Sequence, residues 1–208
     1  MRWIIGLTLL TLVACGPAAA PAPVRDYSGP LRAPISYPTD LAIDHQITAI
    51  HAEGSDTFRA LLEKSGDTLV MVGLAPHGAR AFTLTQEGDD VRFESQIPRD
   101  LPFPAHFMLI DVHRTWLIGL IEPLPDGVHE STLDIGETTE TMVDTWADGR
   151  LMERTFRRPA ADGEGVIRIT YEGGLAPDPS APAPSRIELD NGWFGYRLVM
   201  ENITRAPL

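Results

Sequence analysis

The sequence predicts a single α+β domain of about ten antiparallel strands and one dominant helix. Three patterns carry that expectation. Apolar and polar residues alternate with a period of two from residue 44 to about residue 96, interrupted by short turns rich in Gly and Asp. A helical period replaces the alternation once, in "RDLPFPAHFMLIDVHRTWLIGL". The alternation then returns after "EPLPDG" and runs toward the end of the chain.

The first stretch reads as a meander of five strands. "HQITAIHA" sets Ile47 and Ala49 against Thr48 and Ile50, with His45 and His51 facing solvent. "DTFRALLEK" puts Phe58, Ala60 and Leu62 on one face. The turn "KSGD" leads into "TLVMVGLA", which is apolar on both sides and therefore expected to be central and covered on both faces. "PHG" turns the chain into "ARAFTLTQ", where Phe82 and Leu84 oppose Thr83 and Thr85. "EGDD" leads into "VRFESQ", where Val91 and Phe93 alternate with Arg92 and Glu94. Connections this short make sequential strands antiparallel neighbours.

The helix is expected over 103–117. Pro104 suits a first helical turn. Ala105, Leu109, Val112 and Trp116 recur on one face, and Phe107, Met108, Ile110 and Leu117 make most of the remainder apolar. Asp111, Arg114 and Thr115 form a thin polar stripe. A helix apolar almost all round belongs inside a domain, here against the concave face of the meander. His106 and His113 project alike but lie two turns, about 10 Å, apart. That is too far to share a metal ion, and both are expected at the surface or at a cleft mouth. Asp111 and His113 are two residues apart and do not face each other, which argues against an acid–base pair.

Further on, Thr141–Trp146 and Arg150–Arg158 flank "ADG" as a hairpin, "VIRITYE" follows as a strand, and "RIELD" and "GYRLVMENI" flank "NGWF" as a last hairpin. The acidic run "ESTLDIGETTETMVDTWAD" reads as a solvated strand face or loop. "GGLAPDPSAPAP" reads as a Pro-rich loop outside the core.

The N-terminus has the order of an export signal: a basic start at Arg2, an apolar run from Trp3 to Val13, then small residues. Leu12-Val13-Ala14-Cys15 resembles the bacterial lipobox. That resemblance implies a signal peptide over 1–14, with Cys15 as the first mature residue, carrying a diacylglycerol on sulfur and a further acyl chain on its amine. Gly16 in second position resembles the outer-membrane class of lipoproteins and implies a lipid anchor on the periplasmic face of that membrane. The Ala- and Pro-rich stretch within 15–43 is expected to be an extended tether, with the domain at 44–208. Cys15 is the single cysteine of the 208 residues, so no intramolecular disulfide can form. A net charge of −12 without a basic cluster argues against nucleic acid and against electrostatic adhesion to anionic lipid.

"FRALLEKSGDTLVMVGLAPHGARAFTLTQEGDDVRFE", "LPFPAHFMLIDVHRTWL" and the late strands ending "GYRLVMENI" resemble an uncharacterised family of bacterial lipoproteins, a domain of unknown function, members of which often lie near genes for aryl-polyene synthesis. The element order is also similar to that of LolA and LolB, the periplasmic lipoprotein carrier and its outer-membrane receptor. The resemblance spans roughly residues 44–204. It implies a curved antiparallel half-barrel, LolA/LolB-like, closed by an apolar helix and able to hold acyl chains. The exposed leucine loop of LolB has no clear counterpart, and none of Arg59, Arg80 or Arg92 can be matched to the cargo-receiving arginine of LolA.

No G-x-S-x-G elbow, P-loop or G-x-G-x-x-G after a strand is present, and no histidines fall at a metal-ligand spacing. The expected role is therefore non-enzymatic, with no metal and no cofactor beyond the lipid on Cys15. Phe58, Met71, Phe82, Phe93, Phe107, Ile110, Trp116 and Trp146 are the candidate lining of an apolar cleft for an acyl or polyene lipid. An accessory that docks on another envelope protein, and an envelope-lipid hydrolase or transferase, are the alternatives.

Overall fold

A computed structural model describes residues 31–96, 105–135, 138–158 and 165–208. The expected signal peptide, Cys15, the first part of the expected tether and Pro104 lie outside the described residues. Eleven strands form one antiparallel sheet: β1 (Leu41–His51), β2 (Gly54–Ser65), β3 (Thr68–Leu74), β4 (Arg80–Glu87), β5 (Asp90–Ser95), β6 (Gly127–Ile135), β7 (Thr138–Ala147), β8 (Arg150–Arg158), β9 (Gly165–Leu175), β10 (Arg186–Asn191) and β11 (Tyr196–Pro207). Their spatial order is β5-β4-β3-β2-β1-β11-β10-β9-β8-β7-β6, an open sheet with β5 and β6 at its edges. β11 sits between β1 and β10 and so joins an N-terminal meander, β1–β5, to a C-terminal one, β6–β10. The strand beyond the expected ten is β6, which occupies the start of the acidic run.

The helical content is small. One α-helix, α1 (His106–Val112), continues into a π-helical turn over His113–Leu117. The fold is thus mostly β. The sheet must curl around this segment. His113 hydrogen-bonds Gln86 on β4, and the adjacent Arg114 hydrogen-bonds Glu140 on β7. Those strands stand eight places apart in the sheet order. In a flat sheet, at about 4.8 Å per place, they would be about 38 Å apart. The side chains of two consecutive residues cannot span that gap.

Local chemistry explains the turns. In the β7–β8 hairpin Asp148 and Gly149 have φ of 52° and 69°, the two left-handed residues of a type I′ loop that suits the twist of the strands. β3 was expected to be covered on both faces. It alternates instead, with Leu69, Met71 and Gly73 buried on the concave side and its other residues half-buried. The Pro-rich loop also departs from expectation. β9 runs to Leu175, and Gly174 to Pro177 are buried. Before β1, Tyr37 is buried and Lys64 Nζ donates to its carbonyl and to Asp40 Oδ1, each at 2.6 Å. The chain is therefore packed onto the sheet ahead of residue 44.

Candidate functional site

The concave face has two chemically different arms. On β7, Glu140, Met142, Asp144 and Trp146 share the inward parity and are all buried; on β8, Arg154 and Phe156 do the same. The helical segment brings its polar stripe to this arm. Arg114 Nη2 donates to both oxygens of Glu140 at 2.8 and 2.7 Å, and Arg158 donates to the same carboxylate at 2.7 Å. Arg154 forms a fork with Asp144, two bonds of 2.7 Å, and also donates to the carbonyls of Arg114 and Ile118. Burial works against the Arg154 charge, but its hydrogen bonds to Asp144 and the surrounding negative charge hold the guanidinium above its ordinary pKa. Tyr171 Oη donates to the Thr115 carbonyl at 2.9 Å, and burial raises the Tyr171 phenol well above its usual value. Tyr196 Oη donates to Asp111 and accepts from Asn191.

Asp111, Arg114 and Thr115, expected as a thin stripe on an otherwise apolar helix, are thus all buried. The segment that fills the concavity is short and held on one side by charge. The acidic run was read as a solvated face or loop; Glu140 and Asp144 turn inward because each meets an arginine. Among the described residues no cluster of His, Cys, Asp and Glu could hold a metal ion.

Two histidine expectations are also corrected. His113 is buried, not at a mouth. Gln86 Nε2 donates to the carbonyls of Arg32 and Gly88, so Gln86 Oε1 must accept from His113 Nε2–H at 2.9 Å. That leaves His113 Nδ1 as the acceptor for Tyr37 Oη at 3.1 Å. The ring is neutral in this arrangement, and burial, with a smaller contribution from Arg32, pushes its pKa down to about 4. Burial raises Tyr37 to about 12. His45 was expected to face solvent. It is buried beside Trp116, ring centroids 5.7 Å apart, at an irregularity in the β1–β11 pairing, and burial pushes it down to about 4. His51 is half-buried beside Asp56, and His106 is half-buried with its ring edge-on to Phe107.

The other arm, β2–β5, is apolar apart from the buried Lys64 and Gln86. Phe58, Phe82 and Phe93 form a row with centroid spacings of 5.7 and 5.9 Å. Phe82 is buried and lies against Gly73, where a Cβ would fall 2.2 Å from its ring. Phe58 and Phe93 are half-buried. Met71 is buried on the same face of β3. Phe107, Ile110 and Trp116 are buried on the helical segment, with Phe107 meeting Phe194 at 5.4 Å. Trp146 is buried on β7, in the charged arm. The eight candidate cleft residues therefore belong to three places: the apolar arm, the helical segment and the charged arm. The buried Arg–carboxylate groups were not anticipated. Their signal was present in the parity of β7, where two acids alternate in step with Met142 and Trp146.

A LolA superfamily protein from Nitrosomonas europaea is similar over 83% of this chain and 89% of its own, at 12% identity and a TM-score of 0.38. A DUF1329 family protein from Desulfovibrio piger is similar over 80% and 85%, at 8% identity and a TM-score of 0.29. No curated protein matches the chain. A family model spans residues 42–204, from the second residue of β1 to the later part of β11, and on that match the chain belongs to the family described as Protein of unknown function (DUF3261).

Proposed function

We propose that the protein is a lipid-anchored, non-enzymatic envelope lipoprotein that binds an acyl or polyene chain on the apolar arm of its curved sheet, for transport or insertion. The observation that supports this most directly is the row Phe58–Phe82–Phe93, whose two ends are half-open to solvent on either side of the buried Phe82. Apolar surface left open at the rim of a concavity is the usual form of a site for an apolar ligand. In this reading the half-barrel is closed on one side by α1 and its π turn, which the charged arm holds, while the aromatic arm takes the chain. Phe58 and Phe93 line the entrance, and Met71 is buried on the same face of the sheet. The lipobox supplies the anchor, with two or more acyl chains on Cys15 giving firm attachment at roughly 0.8 kcal/mol per buried methylene. The outer membrane is the proposed location.

The test is mass spectrometry of organic extracts from natively purified Cys15→Ala protein, with uptake of a fluorescent fatty acid as a second arm. Co-purifying lipid and uptake that falls in Phe93→Asp are expected. Lipid-free protein with no uptake would sink the proposal. A second reading, an accessory that docks on another envelope protein, draws on the filling between the helical segment and the sheet, where Leu109, Ile110 and Trp116 are buried. Co-purification of one stoichiometric protein partner without lipid would select it. The anchor is tested separately: Cys15→Ala should lose all incorporation of radioactive fatty acid, and persistent label would refute it.

A further inference from the structure

At the other end of the strands from the aromatic row, a second cleft opens between the segment before β1, the end of the helical segment and the loop after β9. Tyr37, Thr39, Trp116, Leu120, Pro177 and Arg205 are among its lining residues, and it is a shallow cleft open to solvent, with enclosed room for about one water. Register places Arg205 opposite Ile43, a buried residue of the concave face.

Arg205 is held in an unusual way. Its Nη1 donates to the carbonyls of Ala176 and Asp178 at 2.6 and 3.2 Å, and its Nη2 to the carbonyl of Pro177 at 2.9 Å. Three carbonyls fix the guanidinium, and the Asp178 carboxylate acts on its charge through space without bonding to it. Its Nε is buried and has no hydrogen-bond partner. The Asp178 carboxylate is occupied by the amide and hydroxyl of Ser180, at 2.8 and 2.7 Å. The other cation at this end, Lys64, is by contrast matched by Asp40. Buried charges are normally paired with an opposite charge. Arg205 is half-buried and, among the described residues, bonds to no carboxylate, in a chain of net charge −12. Burial pushes its pKa down to about 10. Thr39 lines the same cleft. Close in sequence to two lining residues the chain exposes large aliphatic side chains: Ile121, next to Leu120, is 67% exposed, and Ile35, two residues before Tyr37, is 64% exposed.

We infer that this cleft is an oxyanion site, in which Arg205 takes one carboxylate or phosphate group, free or as the head of an amphiphile whose chain lies over Ile35 and Ile121. The site is independent of the aromatic row, and either can fail without the other. The test is calorimetric titration of the full chain carrying Cys15→Ala with inorganic phosphate, dodecyl phosphate and the uncharged dodecyl maltoside. One equivalent of phosphate or dodecyl phosphate is expected to bind, at least tenfold more weakly in Arg205→Met and close to normally in Arg205→Lys. Pro38→Trp, at an exposed lining position that leaves the carbonyl clamp intact, should block it and decides the matter if Arg205→Met does not fold. Binding of inorganic phosphate identifies a free anion as the ligand; binding of dodecyl phosphate alone identifies an amphiphile head. Either supports the site. Failure of both to bind, equal binding of dodecyl phosphate and dodecyl maltoside, or binding indifferent to Arg205→Met and Pro38→Trp would overturn it.

Discussion

Arg154 shows how a single side chain can carry much of the structure. It is completely buried, forks onto Asp144, and reaches the carbonyls of Arg114 and Ile118 where the π turn ends. Removing it alone strands the Asp144 carboxylate in a low-dielectric interior, which typically costs about 3–5 kcal/mol. Replacing both partners by apolar residues of similar volume is often near neutral. We therefore expect Arg154→Met to lower the urea midpoint severely and Arg154→Met with Asp144→Leu to recover most of the loss. A double variant as unstable as the single one would show that the carbonyl bonds, not the stranded charge, dominate. At this scale much could be read in the sequence and some could not. Phe58, Phe82 and Phe93 follow from alternation alone. The burial of Arg114 does not, because periodicity says which residues share a face and not whether a matching acid waits opposite. Asp144 and Arg154 are cross-strand partners, and that pairing becomes visible only once the hairpin register is known.

The helical segment and β1 each carry a buried neutral histidine, and together they set a pH response. His113 and His45 both have pKa values pushed by burial from an ordinary 6.5 to about 4. Between those values the unfolded chain binds protons that the folded one does not. Stability is therefore fully present above about pH 6.5 and is lost as pH falls toward 4, at about 1.4 kcal/mol per pH unit for each histidine. The carboxylates that the fold favours in their charged form, Asp40, Asp44 and Asp178, start from 3.8 and respond only below that window. Urea unfolding at pH 7, 6 and 5 should show the midpoint falling steadily. His45→Leu, which keeps the site filled and leaves nothing to titrate, should roughly halve the slope. A midpoint unchanged from pH 7 to pH 5 would refute this account. As elements, the five strands of the N-terminal meander and the five strands expected after the helix were legible because their turns carry Gly or Asp. The helix was legible in place but not in character. The α-helix is seven residues long and the rest is a π turn, a geometry that hydrophobic spacing does not distinguish from an ordinary helix.

At the scale of the whole molecule the two meanders are joined along one strand. β11 pairs with β1 on one side and β10 on the other, in a register that sets Val199 beside both Thr48 and Glu188. The β10 seam is a hairpin of consecutive strands, but the β1 seam joins strands far apart in the chain: Leu41 meets Pro207. Local turn chemistry predicts neighbours within a meander and is silent about such a closure, which is why the order of the sheet was not readable although its strands were. The joined sheet also wraps a single short helical segment that bonds to β4, β7, β8, β9 and β11. Both arms therefore share one set of contacts, and the molecule should unfold as one unit. Val199→Pro tests this. Its strand is flanked on both sides, so the lost amide hydrogen always faced a neighbour, and the ring cannot replace that ladder bond. We expect a loss of about 3 kcal/mol, with tryptophan fluorescence, which includes Trp146 on the charged arm, and far-UV circular dichroism of the whole sheet moving together to a lower denaturant concentration. Two separate transitions, one arm surviving the other, would show that the seam and the helical segment do not couple the halves.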